Sequence, residues 1–341
     1  MRRTVTQHAS LLVLAALFAA ASPHIWAAGD KESDAAVNGA VRGAVDAGSA
    51  PADLSDDALV AAVVGNYASI ESIYCQYTVR YLATADRKAS VPMNVRYARS
   101  GTKWRLVQFD ESAGVLVEVA RCCDGEFVYS FSVTHRDGKP QWSGVQIHDR
   151  AEPGGFNPEH LIGRNLSNVG RSIPEILKQA GISRSGAKLP GGTVGERLSV
   201  SGLATSRAKS LQKYDVVIAV DPEHDFLPRE IRITEAAENV TWPDWAQKWN
   251  VDEFQQVVDQ KSRRQRWFPA SGLLTQGTTA APAVKIVVEK VRINATLPET
   301  LFKPEFPDGL SFMDATADHR GRGAVRGNVI LENPGADPPA E

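Results

Sequence analysis

Apolar and polar residues alternate with a period of two along much of this chain. Val115, Val117 and Val119 fall on one face of an extended segment, and Phe127, Tyr129 and Phe131 repeat the arrangement in the next. The stretch Thr102–Ser132 holds three apolar-rich runs parted by Asp110–Gly114 and by Asp124-Gly125. Alternating β-branched and aromatic residues between short turn signals predict antiparallel strands joined by tight connections. Asp124-Gly125 predicts a type I′ turn, which needs positive φ at both central positions. The same pattern predicts strands over Tyr74–Ala83, Met93–Arg99, Gln141–His148, Val194–Ser201, Tyr214–Val220, Pro228–Thr234, Val251–Val258, Arg266–Thr275 and Val284–Ile293. Asp221-Pro-Glu-His-Asp225 reads as a hairpin tip.

Two stretches depart from that rhythm. Ser55 reads as an N-cap ahead of Asp56 and Asp57, and Leu59, Val63, Tyr67, Ile70 and Tyr74 recur near helical spacing. One amphipathic helix is therefore expected over 56–73, with its apolar stripe on the sheet behind it. Residues 149–192 carry two further helical segments, Pro158–Ile162 and Ile173–Ala180, with Pro174 in a first turn and Gly181 as the stop. The expected class is α+β: one large curved antiparallel sheet covered by a few helices, in a single domain over 55–313. Residues 28–54 read as a disordered linker, and 314–341 as a disordered Gly-, Asp- and Pro-rich tail.

The chain opens on Arg2-Arg3 and an uncharged apolar run from Leu11 to Ala21, too short to span a bilayer. Residues 1–27 are therefore expected to be a cleaved signal peptide, delivering a soluble protein to the periplasm or the exterior. The formal net charge of −2 becomes two units more negative without Arg2 and Arg3, which argues against nucleic-acid partners. Only Cys75, Cys122 and Cys123 occur. One bond from Cys75 to Cys122 or Cys123, or three buried thiols, are the two readings.

The usual signatures of chemistry are missing. His135, His148, His160, His224 and His319 show no metal-binding spacing, so neither a metal nor a cofactor is expected. There is no G-x-S-x-G elbow, and the S-x-x-K matches at Ser185 and Ser206 stand in polar turns without their partner motifs. Asn165, Asn239 and Asn294 match N-x-S/T. Two features remain. Trp242, Trp245 and Trp249 are spaced to line one side of a short helix, as a plug at the core's end or as an apolar lid. Lys261-Ser-Arg-Arg-Gln-Arg266 reads as a basic hairpin tip, either simply solvated or docking on an acidic partner or anionic lipid.

Several segments together resemble the LolA-like lipoprotein-carrier superfamily, especially its exported outer-membrane lipoprotein-sorting members. Ile70-Glu-Ser-Ile-Tyr-Cys-Gln-Tyr-Thr-Val is similar to the family's helix-to-strand entry. Lys103-Trp-Arg-Leu and Asp124-Gly-Glu-Phe-Val-Tyr resemble its strand signatures, and Pro228-Arg-Glu-Ile-Arg-Ile its later strand. Leu297-Pro-Glu-Thr-Leu-Phe-Lys-Pro-Glu-Phe-Pro-Asp-Gly resembles its closing segment. The resemblance implies an incomplete β-barrel closed by helices over an apolar cavity, and the missing motifs argue against an enzyme. An acyl chain loses about 0.8 kcal/mol of burial per methylene in water, which is why such cargo needs an escort. Alternation alone nominates Trp104, Val117, Val119, Phe127, Tyr129 and Phe131 as cavity lining, with ordinary core as the competing role for each. Three readings follow: a carrier of lipid or acylated protein, an envelope-stress or interaction module meeting a membrane-associated protein, and a hydrolase assembled from isolated residues.

Overall fold

The computed structural model describes residues 54–83, 88–112, 114–153, 156–164, 166, 171–178, 181–189, 192–204, 213–235, 247–276, 282–316, 320–326 and 329–332. The expected leader, the linker apart from Leu54, Trp242, Trp245, Asn165, Asn239 and His319 lie outside them. In chain order come α1 (Asp56–Ala68), β1 (Ser72–Tyr81), β2 (Met93–Ser100), β3 (Lys103–Ser112), β4 (Val115–Cys123), β5 (Phe127–Arg136), β6 (Lys139–Trp142), β7 (Val145–Asp149) and α2 (Ile173–Leu177). Then follow β8 (Ile182–Lys188), β9 (Val194–Ala204), β10 (Lys213–Asp221), β11 (Leu227–Glu235), β12 (Gln247–Val258), β13 (Gln265–Gln276) and β14 (Pro282–Ile293). The last three strands are β15 (Ser311–Ala315), β16 (Arg320–Arg326) and β17 (Val329–Glu332). The class is α+β, with antiparallel ladders throughout except where β7 and β15 run parallel. Where one domain was expected, the chain divides into two compact units.

The first unit holds residues 93–153 and the chain from 296 onward, and its meander is β2 to β5. Register sorts the side chains onto two faces. On one, Val107, Ala120, Cys122, Tyr129, Phe131, Val145 and Ile147 pack with Phe306, Phe312 and Val325. Phe306 meets Phe131 edge-on at 5.3 Å between ring centroids, and Trp142 stacks on Phe131 at 5.8 Å. Offset and edge-to-face contacts of this kind add to the burial of the rings. The turn at Asp124-Gly125 differs from expectation, because only Gly125 has positive φ (105°). The Asp124 carboxylate supplies the turn instead, accepting hydrogen bonds from the amides of Glu126 and Phe127 and from the Tyr129 hydroxyl. The tail also departs from expectation, since β16 and β17 are strands. The Arg-Gly sequence of β16 has low apolar content, but the strand gains its order by backbone pairing to β15 and by burying Val325.

In the second unit the neighbours run β8-β9-β10-β11-β12-β13-β14-β1. Ser55 caps α1 by accepting from the Ala58 amide, and Leu59, Val63 and Tyr67 form its buried stripe. The helix stops at Ala68, short of the expected residue 73, because Ile73, Cys75 and Tyr77 belong to a strand in register with β14. The segment from Phe156 to Leu177 packs on this sheet, but its helices are short: a 3-10 turn at Pro158–His160 and the five-residue α2. Within residues 149–192, where no strand was expected, Ile182–Lys188 is the strand β8. Its Ser- and Gly-rich sequence masks an alternation that becomes visible only in its pairing with β9. Trp249 is also corrected: it lies in β12, opposite Ile231 and Leu274, not on a helix.

The insertion can sit this close because Gly272 has no side chain. A Cβ there would lie 2.5 Å from Leu161 Cδ2 and 2.7 Å from the Asn250 carbonyl oxygen. Gly272→Ala is expected to cost about 2–4 kcal/mol, as an overpacked core site does when backbone must yield. A fall in the urea midpoint would register it; an unchanged midpoint would contradict the close approach.

Candidate functional site

The densest polar arrangement of the second unit is built where α1 ends. Helix C-termini leave carbonyls without partners, and the last turn of α1 contains no basic residue. Arg266, at the start of β13, supplies the cation. Its Nη2 donates to Asn66 Oδ1 at 2.5 Å, to the Asn66 carbonyl at 3.3 Å and to the Ser69 hydroxyl, while Nη1 reaches the Ser69 carbonyl. On the other side, Arg266 Nη1 lies 3.4 Å from Asp259 Oδ2.

Asp259 organises the β12–β13 hairpin. Its Oδ1 accepts from the amides of Lys261 (3.0 Å) and Ser262 (2.9 Å), and its Oδ2 from Asn294 Nδ2 (2.7 Å). Asn294 also donates to the Ser69 carbonyl, and its Oδ1 accepts from the amides of Glu71 and Ser72. A φ of 55° at Asn294 aims the carboxamide this way, a conformation asparagine tolerates better than most residues. Asn66 Nδ2 donates to the Asp225 carbonyl, and Asp225 Oδ2 accepts from the Trp267 amide.

Around this junction lies an open cleft of about 710 Å³. Eleven of its fifteen lining residues are polar or charged; the remainder are Ala62, Gly65, Pro222 and Phe226. Beside it, His224 stacks on Phe254 at 4.4 Å and meets Trp267 edge-on at 4.6 Å. His224 Nδ1 and Arg229 Nη2 each lie 2.9 Å from Oδ2 of the buried Asp221, and the Arg229 guanidinium rests 4.4 Å from the Phe254 ring centre. The cleft presents hydrogen-bonding groups and fixed charges. Among the described residues no cluster of three His, Cys, Asp or Glu side chains is placed to hold a metal.

The six alternation-derived lining residues lie in the first unit, on opposite faces of its sheet. Register places Phe127, Tyr129 and Phe131 with Ala120 and Cys122, whereas Trp104, Val117 and Val119 lie with Arg121 and Cys123. Phe131 and Trp104 are fully buried, Tyr129 nearly so, and Val117, Val119 and Phe127 half-buried. Trp104 donates from Nε1 to the Ala151 carbonyl, and the Arg121 guanidinium sits 5.9 Å from its ring centre. Of the three tryptophans, Trp249 is buried in the second unit and stacked on His160 at 5.3 Å. From the basic tip, Lys261, Ser262, Arg264, Gln265 and Arg266 line part of the cleft. Asn66, Ser69, Asp259 and Asn294 escaped the sequence reading, although Asn294 had stood out as an N-x-T match.

All three cysteines are free and buried, so no bridge forms. Burial pushes the Cys122 thiol up to about 12, despite the nearby Arg105 charge, and burial together with the Glu159 charge raises Cys75. A protonated, enclosed thiol is a poor nucleophile.

No family model and no curated protein matches the sequence. Among solved structures, a LolA superfamily protein from Nitrosomonas europaea is similar at a TM-score of 0.39 and 9% identity, over 73% of this chain and 97% of that one. That is the superfamily the sequence motifs resemble. Two structures of MucB with MucA, one from Pseudomonas aeruginosa, are similar at a TM-score of 0.15, with 11% and 10% identity over 70% of this chain and 97% of theirs.

Two outcomes follow from this geometry. Burial disfavours the Asp259 charge, but the Ser262 amide, Asn294 and the Lys261 amide outweigh it and hold the carboxyl below its usual range. A depressed folded-state value stabilises the protein above the unfolded value near pH 4 and is lost as pH falls through the folded one. Asp259→Asn should therefore cost about 1–3 kcal/mol at pH 7, with the gap to the parent closing below about pH 4 in urea titrations. Separately, the three thiols should stay silent to a thiol reagent in native buffer and all react in denaturant; rapid native labelling of Cys122 would contradict its burial.

Proposed function

We propose that the protein is an exported, non-enzymatic binding module that meets another macromolecule through its surface. The observation that carries this reading is the filling of the first unit's aromatic face. Tyr129, Phe131, Trp142 and Phe306 contact one another where a carrier would keep a hollow for acyl chains. Ligand sites for apolar molecules are typically about 300–1,000 Å³ and mostly apolar in lining. The cleft at Arg266 has that size and a mixed wall, in which guanidinium and carboxamide groups would lose water to a hydrocarbon tail at a cost. No helix among the described residues is long and apolar enough to cross a membrane. We place the protein in the periplasm or outside the cell, with its partner another envelope protein.

The test sets this reading against carriage of lipid or acylated protein. The mature chain should purify without lipid in an organic extract analysed by mass spectrometry, and should show no saturable binding of a hydrophobic dye displaced by fatty acid. It should instead crosslink in the native compartment to one protein at a fixed stoichiometry. Stoichiometric co-purifying lipid, or fatty-acid-displaceable dye, would establish the carrier and remove the proposal.

A further inference from the structure

In the second unit, the first turn of the segment after Phe156 is fastened to the sheet by a histidine. Asn157 caps the 3-10 turn Pro158–His160 by accepting from the Glu159 amide. His160 Nδ1 closes the cap from the other end, 3.3 Å from the Asn157 amide and 3.1 Å from its carbonyl oxygen. The imidazole then lies nearly flat on Trp249 of β12, with ring centroids 5.3 Å apart and planes 22° off parallel. Asn157, His160 and Trp249 are all buried. One ring thus joins the local fold of the turn to its seat on the sheet.

Among the described residues, this turn shares no backbone pairing with the sheet it covers. Its backbone hydrogen bonds run from the His160 amide to the Asn157 carbonyl, Leu161 to Pro158, Gly163 to His160 and Arg164 to Glu159. The bonds that tie it to β1 and to the end of α1 come from side chains. Tyr77 donates its hydroxyl hydrogen to the Phe156 carbonyl, and Arg164 Nη2 donates to the Ile70 carbonyl. The turn can therefore lift without breaking a strand ladder, and local units of that kind open at a lower free energy than the whole fold.

The surroundings of the ring give a proton little support. On its own turn, the Glu159 carboxylate is already engaged by Arg164, with Nη1 3.3 Å from Oε1. From β1 come Cys75 and Tyr77, and from α1 Tyr67 beside Arg164; burial raises all three and keeps them uncharged near neutral pH. From β12 comes the uncharged Trp249 ring, and from β13 Gly272 beneath Leu161. Burial pushes the imidazole below its ordinary value, against the smaller opposing pulls of the Asn157 backbone and the Glu159 charge. A ring protonated on both nitrogens also cannot accept from the Asn157 amide, so the cap loses its closure.

We propose that His160 is an acid-sensitive latch: the neutral ring holds the turn 157–164 down on Trp249, and uptake of a proton releases the turn and bares Trp249 and Tyr77. The device goes beyond the binding-module reading and is independent of it. Because the open form holds the proton more tightly than the closed one, the closed form is fully stable above about pH 6.5. Below that it loses ground until pH reaches the folded-state value, with the open-to-closed ratio rising by up to about tenfold per pH unit.

Hydrogen exchange of the full mature chain, corrected for the intrinsic rate at each pH, reads the opening between about pH 7.5 and about pH 5, where histidine is the side chain that ordinarily titrates. Protection of the amides at 160–164 is expected to fall by up to about tenfold per pH unit below about pH 6.5, while the paired amides of β12 and β13 keep theirs. His160→Phe retains a flat ring for Trp249 and cannot titrate, so protection of its turn should not vary with pH. Three results would each overturn the latch: protection that stays level in the parent, an equal fall in His160→Phe, or β12 and β13 losing protection in step with the turn. Should His160→Phe not fold, the parent decides alone through the NMR titration of its His160 ring. That ring should titrate below the free value and in step with the loss of protection; titration at or above about pH 6.5 would equally overturn the proposal.

Discussion

The contact on which the second unit depends is the Arg266 guanidinium at the open end of α1. That helix finishes with carbonyls and no cation of its own, so its C-terminal partial charge needs compensation from elsewhere. Arg266 brings it from a strand about 200 residues further along the chain. Because Asp259 lies on the other side of the same guanidinium and Asn294 bonds both Asp259 and the Ser69 carbonyl, the helix end, the start of β1, the β12–β13 hairpin and the end of β14 are joined through four side chains. Such a shared network is cooperative: each member orients the next, and losing one leaves others buried without partners.

The two units solve the burial of aromatic residues in similar ways and leave different surfaces behind. In the first, Phe306 enters a group that already contains Phe131, Tyr129 and Trp142, so the rings meet each other. In the second, the short segment after Phe156 lies on the sheet over Gly272 and Trp249, with Tyr77 donating its hydroxyl hydrogen to the Phe156 carbonyl. At the surface of the second unit, polar groups are fixed by their neighbours around the Arg266 cleft. Structure thus moves the centre of functional interest from the alternating apolar strands to a turn.

The sequence announced the strands well because their alternation is local information. Val115 to Val119 and Phe127 to Phe131 declare a period of two whatever lies across from them, and Ser55 with Asp56 and Asp57 declares a helix start. It announced less where order depends on a distant partner. Ile182–Lys188 looks like polar loop until β9 is placed beside it, and the Arg-Gly stretch of β16 looks unstructured until β15 is. Trp249 was assigned to a helix because three tryptophans at spacings of three and four imitate one, yet its neighbours Gln247 and Val251 share its buried face in a strand. The cleft was the least legible part. Lys261–Arg266 marked its rim, but Asn66, Ser69, Asp259 and Asn294 are ordinary polar residues whose convergence is set by tertiary structure alone.

The register of β1 with β14, from Ile73 opposite Ile293 to Tyr81 opposite Val284, has a bearing on biosynthesis. More than 200 residues separate the two strands, so a chain leaving the ribosome or a translocation channel exposes β1 long before that partner exists. Ile73, Cys75, Tyr77 and Val79 are all buried once the protein is complete, and during that interval their strand has an unpaired edge on this side. Residues 73–79 are consequently a segment of the nascent polypeptide whose apolar face stays uncovered on this side until β14 is made.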